Sequence, residues 1–488
     1  MLIAVVVLFS LPQAALLPLM DRDEPRFAEA SREMVQSGNL IVPMFDHAPR
    51  YNKPPMIYWC QSLAYLVFGQ NAFAARLPSV LATAGTAFIL LAWGARLGSR
   101  GIGLIAGLGY AFCLQAMQQG RVATADGLLI FFMTLTAYTG WRLLDHEPPP
   151  PGQPPPKSIF RTASTLRAWT FRLVLALAGG FLAKGPEAWL PLIPLLILAR
   201  DWKGRAYFLI CFLYSLSFVA LWAVPAYYLS NGAYAEAGLK EGLWDRIFTG
   251  LQGHGASSFG WYLAGVPLYL LIFWISALPW SPLLLTHGRK LFGGWKLDED
   301  DRYLLLNAGL IFIIFSLMVT KLPHYTLPAF PFLLLVLGRR WHAAGLSPVL
   351  PTRLCGGLGL GFAMITLVAV PIALAHGGSP SPVGVLVRQA QEAGNLKKDT
   401  AYALIDFTEP TGIWEMRRVS RAYSQPIGET QILPFLNEPG SRAVILSTGL
   451  WQRLALNKDT AGLLTYEARG FNVGKGKFVD LTMVVNIR

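Results

Sequence analysis

Apolar runs long enough to cross a bilayer recur along the chain, each ended by a short polar stretch. After a first run at Leu2–Leu19 they fall at about 73–95, 101–119, 127–144, 169–184, 186–200, 206–229, 260–286, 303–319, 326–338 and 353–376. The pattern predicts a polytopic α-helical membrane protein of about eleven transmembrane helices. The first run has no basic segment before it and no A-x-A cleavage site, so it reads as a span rather than a leader. Its shortness raises the expectation that the start of the chain is clipped. Lys184-Gly185-Pro186 has to turn the chain tightly between two short spans.

Beyond about residue 377 the period changes. "TAYALIDF", "SRAVILST" and "FVDLTMVVNI" are short, β-branched and partly alternating, and helix-compatible stretches such as "PVGVLVRQAQEAG" lie between them. The expected organisation is a membrane domain over 1–376, with an outer loop carrying amphipathic helices at 20–72, and a small soluble α/β domain over 377–488. "EPPPPGQPPP" (147–156) reads as an extended polyproline linker.

Composition agrees with the pattern. Of 488 residues, 53% are hydrophobic and 14% charged, which excludes an ordinary soluble protein of this size. The net charge of +13 does not imply nucleic acid, because the basic residues are scattered through short loops. With the amino terminus inside, every inside loop is basic: Arg96 and Arg100; Lys157, Arg161 and Arg167; Arg200, Lys203 and Arg205; Arg289, Lys290, Lys296 and Arg302; Arg339 and Arg340. Cys60, Cys113, Cys211 and Cys355 are far apart in or beside apolar segments and read as small buried hydrophobes.

Charges that remain on the outer face are candidates for chemistry. "MDRDEPRFAEASREM" (20–34) carries eight charged residues just after the first span. Phe27, Ala30, Met34 and Val35 make one face of an amphipathic helix, with Pro25 in its first turn and Gly38 past its end, and the helix is expected to lie on the membrane surface. Asp23 and Glu24 then sit at a helix N-terminus, where they could cap it or act at a site. Asp21, Asp23 and Glu24 together could hold a divalent cation, although nothing in the sequence requires one. In "RYNKPPMIYW" (50–59) Lys53 is stiffened by two prolines; it could snorkel to the interface or meet a lipid phosphate. Arg121 and Asp126 bracket a turn, and Asp126 enters the next helix, where a charge at depth costs about 2.5–3.5 kcal/mol unless it caps the helix. Lys321, His324 and Tyr325 share a proline-stiffened turn, with no HExxH or other metal spacing. With Lys184 in one further outer connection and Lys240 and Arg246 in another, five separate connections bring charged residues to one membrane face beside apolar walls, which suits a substrate with a lipid tail and an anionic head.

These pieces carry a family resemblance. "DEPRFAEASREM", "YNKPP", "YW…FG", "NAFAARLPSVL", "RVATADGLL", "FLAKGP" and "KLPHYTLPAFP" occur in order over about residues 15–340. In this the chain resembles the GT-C glycosyltransferases of the aminoarabinose-transferase type, which are related to the protein O-mannosyltransferases. The resemblance implies a GT-C fold and transfer of a sugar from a polyprenyl-phosphate donor to an envelope lipid or glycan acceptor, such as lipid A of lipopolysaccharide. It implies that this occurs with inversion, on the periplasmic face of a bacterial inner membrane. It makes Asp23 and Asp126 the acidic site residues and Lys53 the contact to the lipid phosphate. Arg26, Lys321 and Tyr325 also fall on motif positions. Glu24, Tyr51, Arg121, Lys184 and His324 are further candidates, and Glu241, Arg246 and His254 fall in a loosely similar loop. The chain departs from the aminoarabinose transferases in being shorter and in the look of its carboxy-terminal region. The competing expectations are a transporter or flippase of a lipid-linked sugar, which would place charges at the bilayer midplane, and a protein O-mannosyltransferase-like activity.

The charge pattern makes a topological prediction. Protease added from the outer side of the membrane should cut the region after residue 377, and protease on the inner side should spare it; the reverse pattern overturns the orientation.

Overall fold

The helices of the protein are punctuated by proline and by tertiary hydrogen bonds as much as by polarity. A computed structural model describes residues 2–20, 22–144, 163–240, 244–245, 265–375, 381–455, 462–472 and 476–486. Among the described residues four helices are long and apolar enough to cross a membrane: Ala72–Arg96, Ser164–Lys184, Trp202–Leu229 and Val349–Ile372. Leu268–Ser276 and Trp280–Phe292 add a fifth span only if taken together, and they meet at a bend of 101°. Other runs that read as single spans are broken. The run 101–119 divides into Arg100–Ala111 and Leu114–Gln119, where Leu114 N donates to Leu278 O (3.0 Å) instead of continuing the helix. The run 186–200 becomes a 3-10 turn, Pro186–Trp189, and a seven-residue helix, Leu192–Leu198, because Pro191 and Pro194 cannot donate to the ladder. The turn folds back on the preceding helix, with Trp189 Nε1 donating to Leu177 O (3.1 Å) and the Trp189 ring stacked on Phe181 at 4.7 Å.

The chain forms two compact units, one of Met1–Leu11, Tyr51–Ile57 and Leu77–Ala363, the other of Pro12–Arg50, Tyr58–Arg76 and Met364–Arg488. The core of the first surrounds fully buried Trp93, whose ring lies 5.5, 5.8 and 6.2 Å from those of Tyr138, Trp141 and Tyr303. Helices Ala72–Arg96 and Arg100–Ala111 touch through backbone, since a Cβ on Gly94 would stand 2.4 Å from the Gly103 Cα. Arg339 ties helix Phe330–Ala343 to the start of helix Glu299–Leu317, bonding Asp301 and Asp300 at 2.9 Å each and pairing with Asp298, while Arg340 reaches Asp301 at 3.0 Å. Two of the basic residues that mark an inside loop in the sequence are therefore locally neutralised.

In the second unit a hairpin joins Met44–Phe45 (β1) to Ala48–Pro49 (β2) through Asp46 and His47, both at positive φ (52° and 64°). Further along, Ala401–Leu404 (β3), Arg442–Ser447 (β4), Leu463–Asn472 (β5) and Lys477–Asn486 (β6) form a four-stranded sheet in the order β3-β4-β6-β5. β3 is parallel to β4, and the other pairs are antiparallel. Alternation along β4 sends Ala443 and Ile445 to one apolar layer, with Val383 and Leu386 of helix Pro382–Glu392, and Val444 and Leu446 to another, with Ile432 and Trp451.

Helix Asp23–Ser37 starts with the two acids and ends at Gly38 in the left-handed region, as its sequence predicts. It does not have the exposed polar face of a surface helix: Glu29, Ser31, Arg32 and Glu33 are all buried. The reason is a polar partner, helix Pro410–Arg417. Arg32 stacks on Trp414, with its guanidinium carbon 3.8 Å from the ring centroid, donates to Trp414 O (3.3 Å), and pairs with Glu29 at 2.9 Å. Arg417 reaches Glu29 at 3.3 Å and Gln36 Oε1 at 2.8 Å. Opposite these, Ser31 donates to Gln61 Oε1 (2.6 Å) and Tyr65 to Ala28 O (3.0 Å).

Burial pushes the Glu29 carboxyl up to about 7, against the pull of Arg32 and Arg417 and with the help of Glu33. Because its folded value lies above the ordinary 4.5 of a glutamate, the stability linked to it is fully present below about pH 4.5 and is lost as pH rises through 7. Thermal melting of the full-length protein should therefore fall between pH 5 and pH 8, by an amount that at most reflects about 3 kcal/mol from this group. Glu29→Gln should flatten that part of the profile; an unaltered profile sinks the assignment.

Candidate active site

A cavity of about 720 Å³ lies in the first unit, walled by apolar groups such as Phe181, Trp189, Phe315 and Met318. Its charged lining comes from two chain breaks. One is Lys184-Gly185-Pro186. Helix Ala163–Lys184 stops because Gly185 takes φ +97°, a conformation that favours glycine, and Pro186 opens the 3-10 turn. Lys184 is thereby fixed at the last helical position. Its Nζ donates to Asp126 Oδ1 (2.6 Å), stands 3.4 Å from Glu187 Oε1, and lies 5.5 Å from the centroid of the Tyr325 ring.

Asp126 does not cap its helix. The N-cap of Asp126–Leu143 is Ala125, with no side-chain cap bond. Instead Asp126 Oδ2 accepts from Gln119 Nε2 and Thr124 Oγ1, both at 2.9 Å. The carboxylate is thus held by three donors, one of them the Lys184 ammonium.

The second break is Tyr51–Pro54, whose four residues line the cavity. The Tyr234 hydroxyl donates to the backbone carbonyl of Lys53. The Tyr234 ring packs against Tyr51 (5.2 Å) and edge-on against Trp222 (5.1 Å). Lys53 is therefore presented by a loop fixed from both sides, by proline stiffness and by an aromatic buttress. Lys53, Lys184, Tyr51 and Tyr325 come together on this one cavity; Glu187, Trp222 and Tyr234 join them without a motif to announce them. A Glu following a Lys-Gly-Pro break was a usable signal for Glu187, whereas nothing local distinguishes Tyr234 or Trp222 from interface aromatics.

Other candidates are differently engaged. Lys321 Nζ donates to Ser316 O (2.6 Å) and Met318 O (2.7 Å) at the end of helix Glu299–Leu317, and burial lowers its pKa. His324 meets the Tyr325 ring edge-on at 5.2 Å, and Arg121 packs over Phe362 at 5.7 Å. In the second unit Asp23 is exposed at the first position of its helix. Arg26 is half-buried; burial and neighbouring Arg50 lower its pKa, while Asp23 opposes them. Glu24 is clamped by Arg76, with Nε to Oε1 and Nη2 to Oε2 both 2.7 Å, and accepts from Met20 N (2.9 Å). Arg76 also donates to Leu17 O and Pro18 O (2.5 and 2.7 Å). Among the described residues no group of three His, Cys, Asp or Glu could hold a metal ion. Asp21, Glu241, Arg246, His254 and the proline-rich segment lie outside the described residues.

Residues 52–149 match the family model described as dolichyl-phosphate-mannose-protein mannosyltransferase. Over 351 residues the chain is 31% identical to the undecaprenyl phosphate-alpha-4-amino-4-deoxy-L-arabinose arabinosyl transferase of Edwardsiella ictaluri, covering 68% of this chain and 58% of that protein. The enzyme of the same name from Pseudomonas aeruginosa (strain LESB58) is 29% identical over 359 residues, covering 71% of this chain and 60% of its own. The chain therefore spans about three-fifths of the length of these relatives. The fold is similar to that of ArnT from Cupriavidus metallidurans bound to undecaprenyl phosphate, with a TM-score of 0.75 and 16% identity over 100% of this chain and 97% of that one. With the motifs in order, this fold and these relatives, the chain is similar to the GT-C membrane glycosyltransferases of the aminoarabinose-transferase type.

Proposed function

We propose that the protein is an integral-membrane glycosyltransferase that moves a sugar from a polyprenyl-phosphate donor to a cell-envelope acceptor, a glycolipid such as lipid A or a polysaccharide. Transfer occurs with inversion at the periplasmic face of the bacterial inner membrane. The amino terminus is cytoplasmic, and the carboxy-terminal α/β region is periplasmic. The observation that carries the proposal is the cavity in which Lys53 and Lys184 stand among apolar walls, a combination matched to an anionic head on a lipid tail. The relatives' names, and the lipid bound to ArnT from Cupriavidus metallidurans, favour undecaprenyl phosphate as the carrier.

In a single displacement the acceptor oxygen bonds to the anomeric carbon as the bond from that carbon to the phosphate oxygen breaks. The electron pair leaves with the polyprenyl phosphate. Charge therefore develops on phosphate, and the cations that meet it contribute most to the rate. Lys53 and Lys184 take that role, with Arg26 assigned to the same work through the family motif. Asp126 keeps Lys184 charged and aimed. Asp23 accepts the hydroxyl proton of the acceptor; a phosphate acceptor would need no base, and Asp23 would then orient substrate.

The test is mass spectrometry of envelope lipids, polysaccharides and proteins from a deletion strain restored with wild type, Asp23→Asn or Lys53→Ala. Loss of one glycan that only wild type restores is the expected result. Unchanged glycans with a polyprenyl-phosphate sugar accumulating on the inner leaflet would instead make the protein a flippase. With purified enzyme, Asp126→Asn should slow transfer about 100-fold, as expected when a buried charge loses its partner. Tyr234→Phe should slow it only about 3- to 10-fold, the worth of one hydrogen bond; an equal loss in both would remove the distinction between aiming a charge and buttressing a loop.

A further inference from the structure

The helix that bears Asp23 and Arg26 is held by directional polar contacts as well as by the buried apolar side chains of Phe27, Ala28, Ala30 and Met34. Buried Glu29 and Arg32, and exposed Gln36, at i, i+3 and i+7, face residues contributed by helix Pro410–Arg417. Arg417 bonds Glu29 and Gln36, and Arg32 stacks on Trp414 and bonds its carbonyl. Glu29 is 0% and Arg32 1% exposed, so these charges were taken out of water. Such a network adds little net stability over an apolar one of the same shape, because desolvation offsets the attraction. What it does impose is geometry. A planar guanidinium bonded at two points fixes both the rotation of the helix about its axis and its position along that axis. Apolar side chains would tolerate a slip of either kind.

Further contacts run the same way. Arg22, just before the helix, lies 3.8 Å from Glu409, the N-cap of Pro410–Arg417, and Asp46 beyond the helix accepts from Ser424 N at 3.0 Å. The acid-bearing loop is thus gripped before, along and beyond its helix by one stretch of the carboxy-terminal region. Asp23 and Arg26 lie six and three residues before Glu29 on a continuous helix, so a displacement at Glu29 carries to them as a rigid body.

We propose that Arg417 is a positioning residue of the transfer reaction: through Glu29 and Gln36 it sets the rotation and register of helix Asp23–Ser37 and so aims Asp23 and Arg26. This rests on the proposed roles of those two residues. It makes the carboxy-terminal α/β region part of the catalytic apparatus rather than an appended module.

The test uses the full-length enzyme in lipid nanodiscs, with transfer from a polyprenyl-phosphate sugar as one readout and amide hydrogen exchange as the other. R417M should lower kcat per folded molecule at least about tenfold, with KM for the donor within about twofold. Exchange should rise about tenfold or more in residues 23–37 while the strands of the sheet keep their protection. R417K should recover part of the rate. The double variant E29Q/R417M, which leaves no buried carboxylate short of a partner but restores no bond from position 417, should stay as slow as R417M; recovery there would assign the loss to an unpaired charge and overturn the positioning role. Wild-type kcat in R417M, a kcat loss without faster exchange in 23–37, or a change confined to KM would each overturn the positioning role. If wild type itself transfers nothing, the proposed function falls, and this role with it; an active wild type equalled by R417M sinks the role alone.

Discussion

An ammonium held against apolar walls must be given its countercharge by the fold, and Lys184 shows what that requires. Its partner, Asp126, lies 58 residues away in sequence and begins another helix, and the pair closes only because a glycine and a proline stop the helix of Lys184 at that residue. The same constraint recurs wherever a charge is buried. Arg339 draws three aspartates to one helix end, and Arg76 holds Glu24 together with carbonyls at the end of the first helix. Glu29 is flanked by Arg32 and Arg417. Each pairing joins segments distant in the chain or locks a helix in place, so the cost of burying charge is converted into fixed relative geometry.

For chemistry the useful consequence is a division of labour among cations that look alike in sequence. Lys321 is spent on the carbonyls that end a helix, Arg76 on a structural clamp, and Arg339 on a triad of acids. Lys184 and Lys53 line a cavity with lipid-like walls, one oriented by a carboxylate and the other by a stiff loop with an aromatic buttress. For the transfer proposed above, two lysines of different restraint in one apolar cavity suit a phosphate whose charge grows as its bond to a sugar breaks.

Much of this was legible in the chain itself. Period and length marked the four helices that are long and apolar enough to cross a membrane among the described residues, the change to short alternating runs marked the sheet, and Pro25 and Gly38 marked the ends of the loop helix. Strand β5 left only a faint mark: Tyr466 and Ala468 reach the apolar layer and alternate with Glu467 and Arg469, too short a run of too few large apolar residues to read as a strand. The surface character expected of helix Asp23–Ser37 failed for another reason: a polar stripe signifies solvent only if no polar partner covers it, and Arg417 lies some 380 residues downstream. Several expected spans broke at prolines or at a tertiary bond such as Leu114 N to Leu278 O, which hydropathy cannot register.

What the sequence determined by itself is therefore whatever depends on local period, composition and short motifs: long apolar helices, the charged connections between them, and an ordered series of motifs. Only the tertiary structure decided which of those charges is a cap, a clamp or a cavity group. That choice turns on distances between residues far apart in the chain, and a buried charge is stabilised by whichever partner the fold brings within about 3 Å of it.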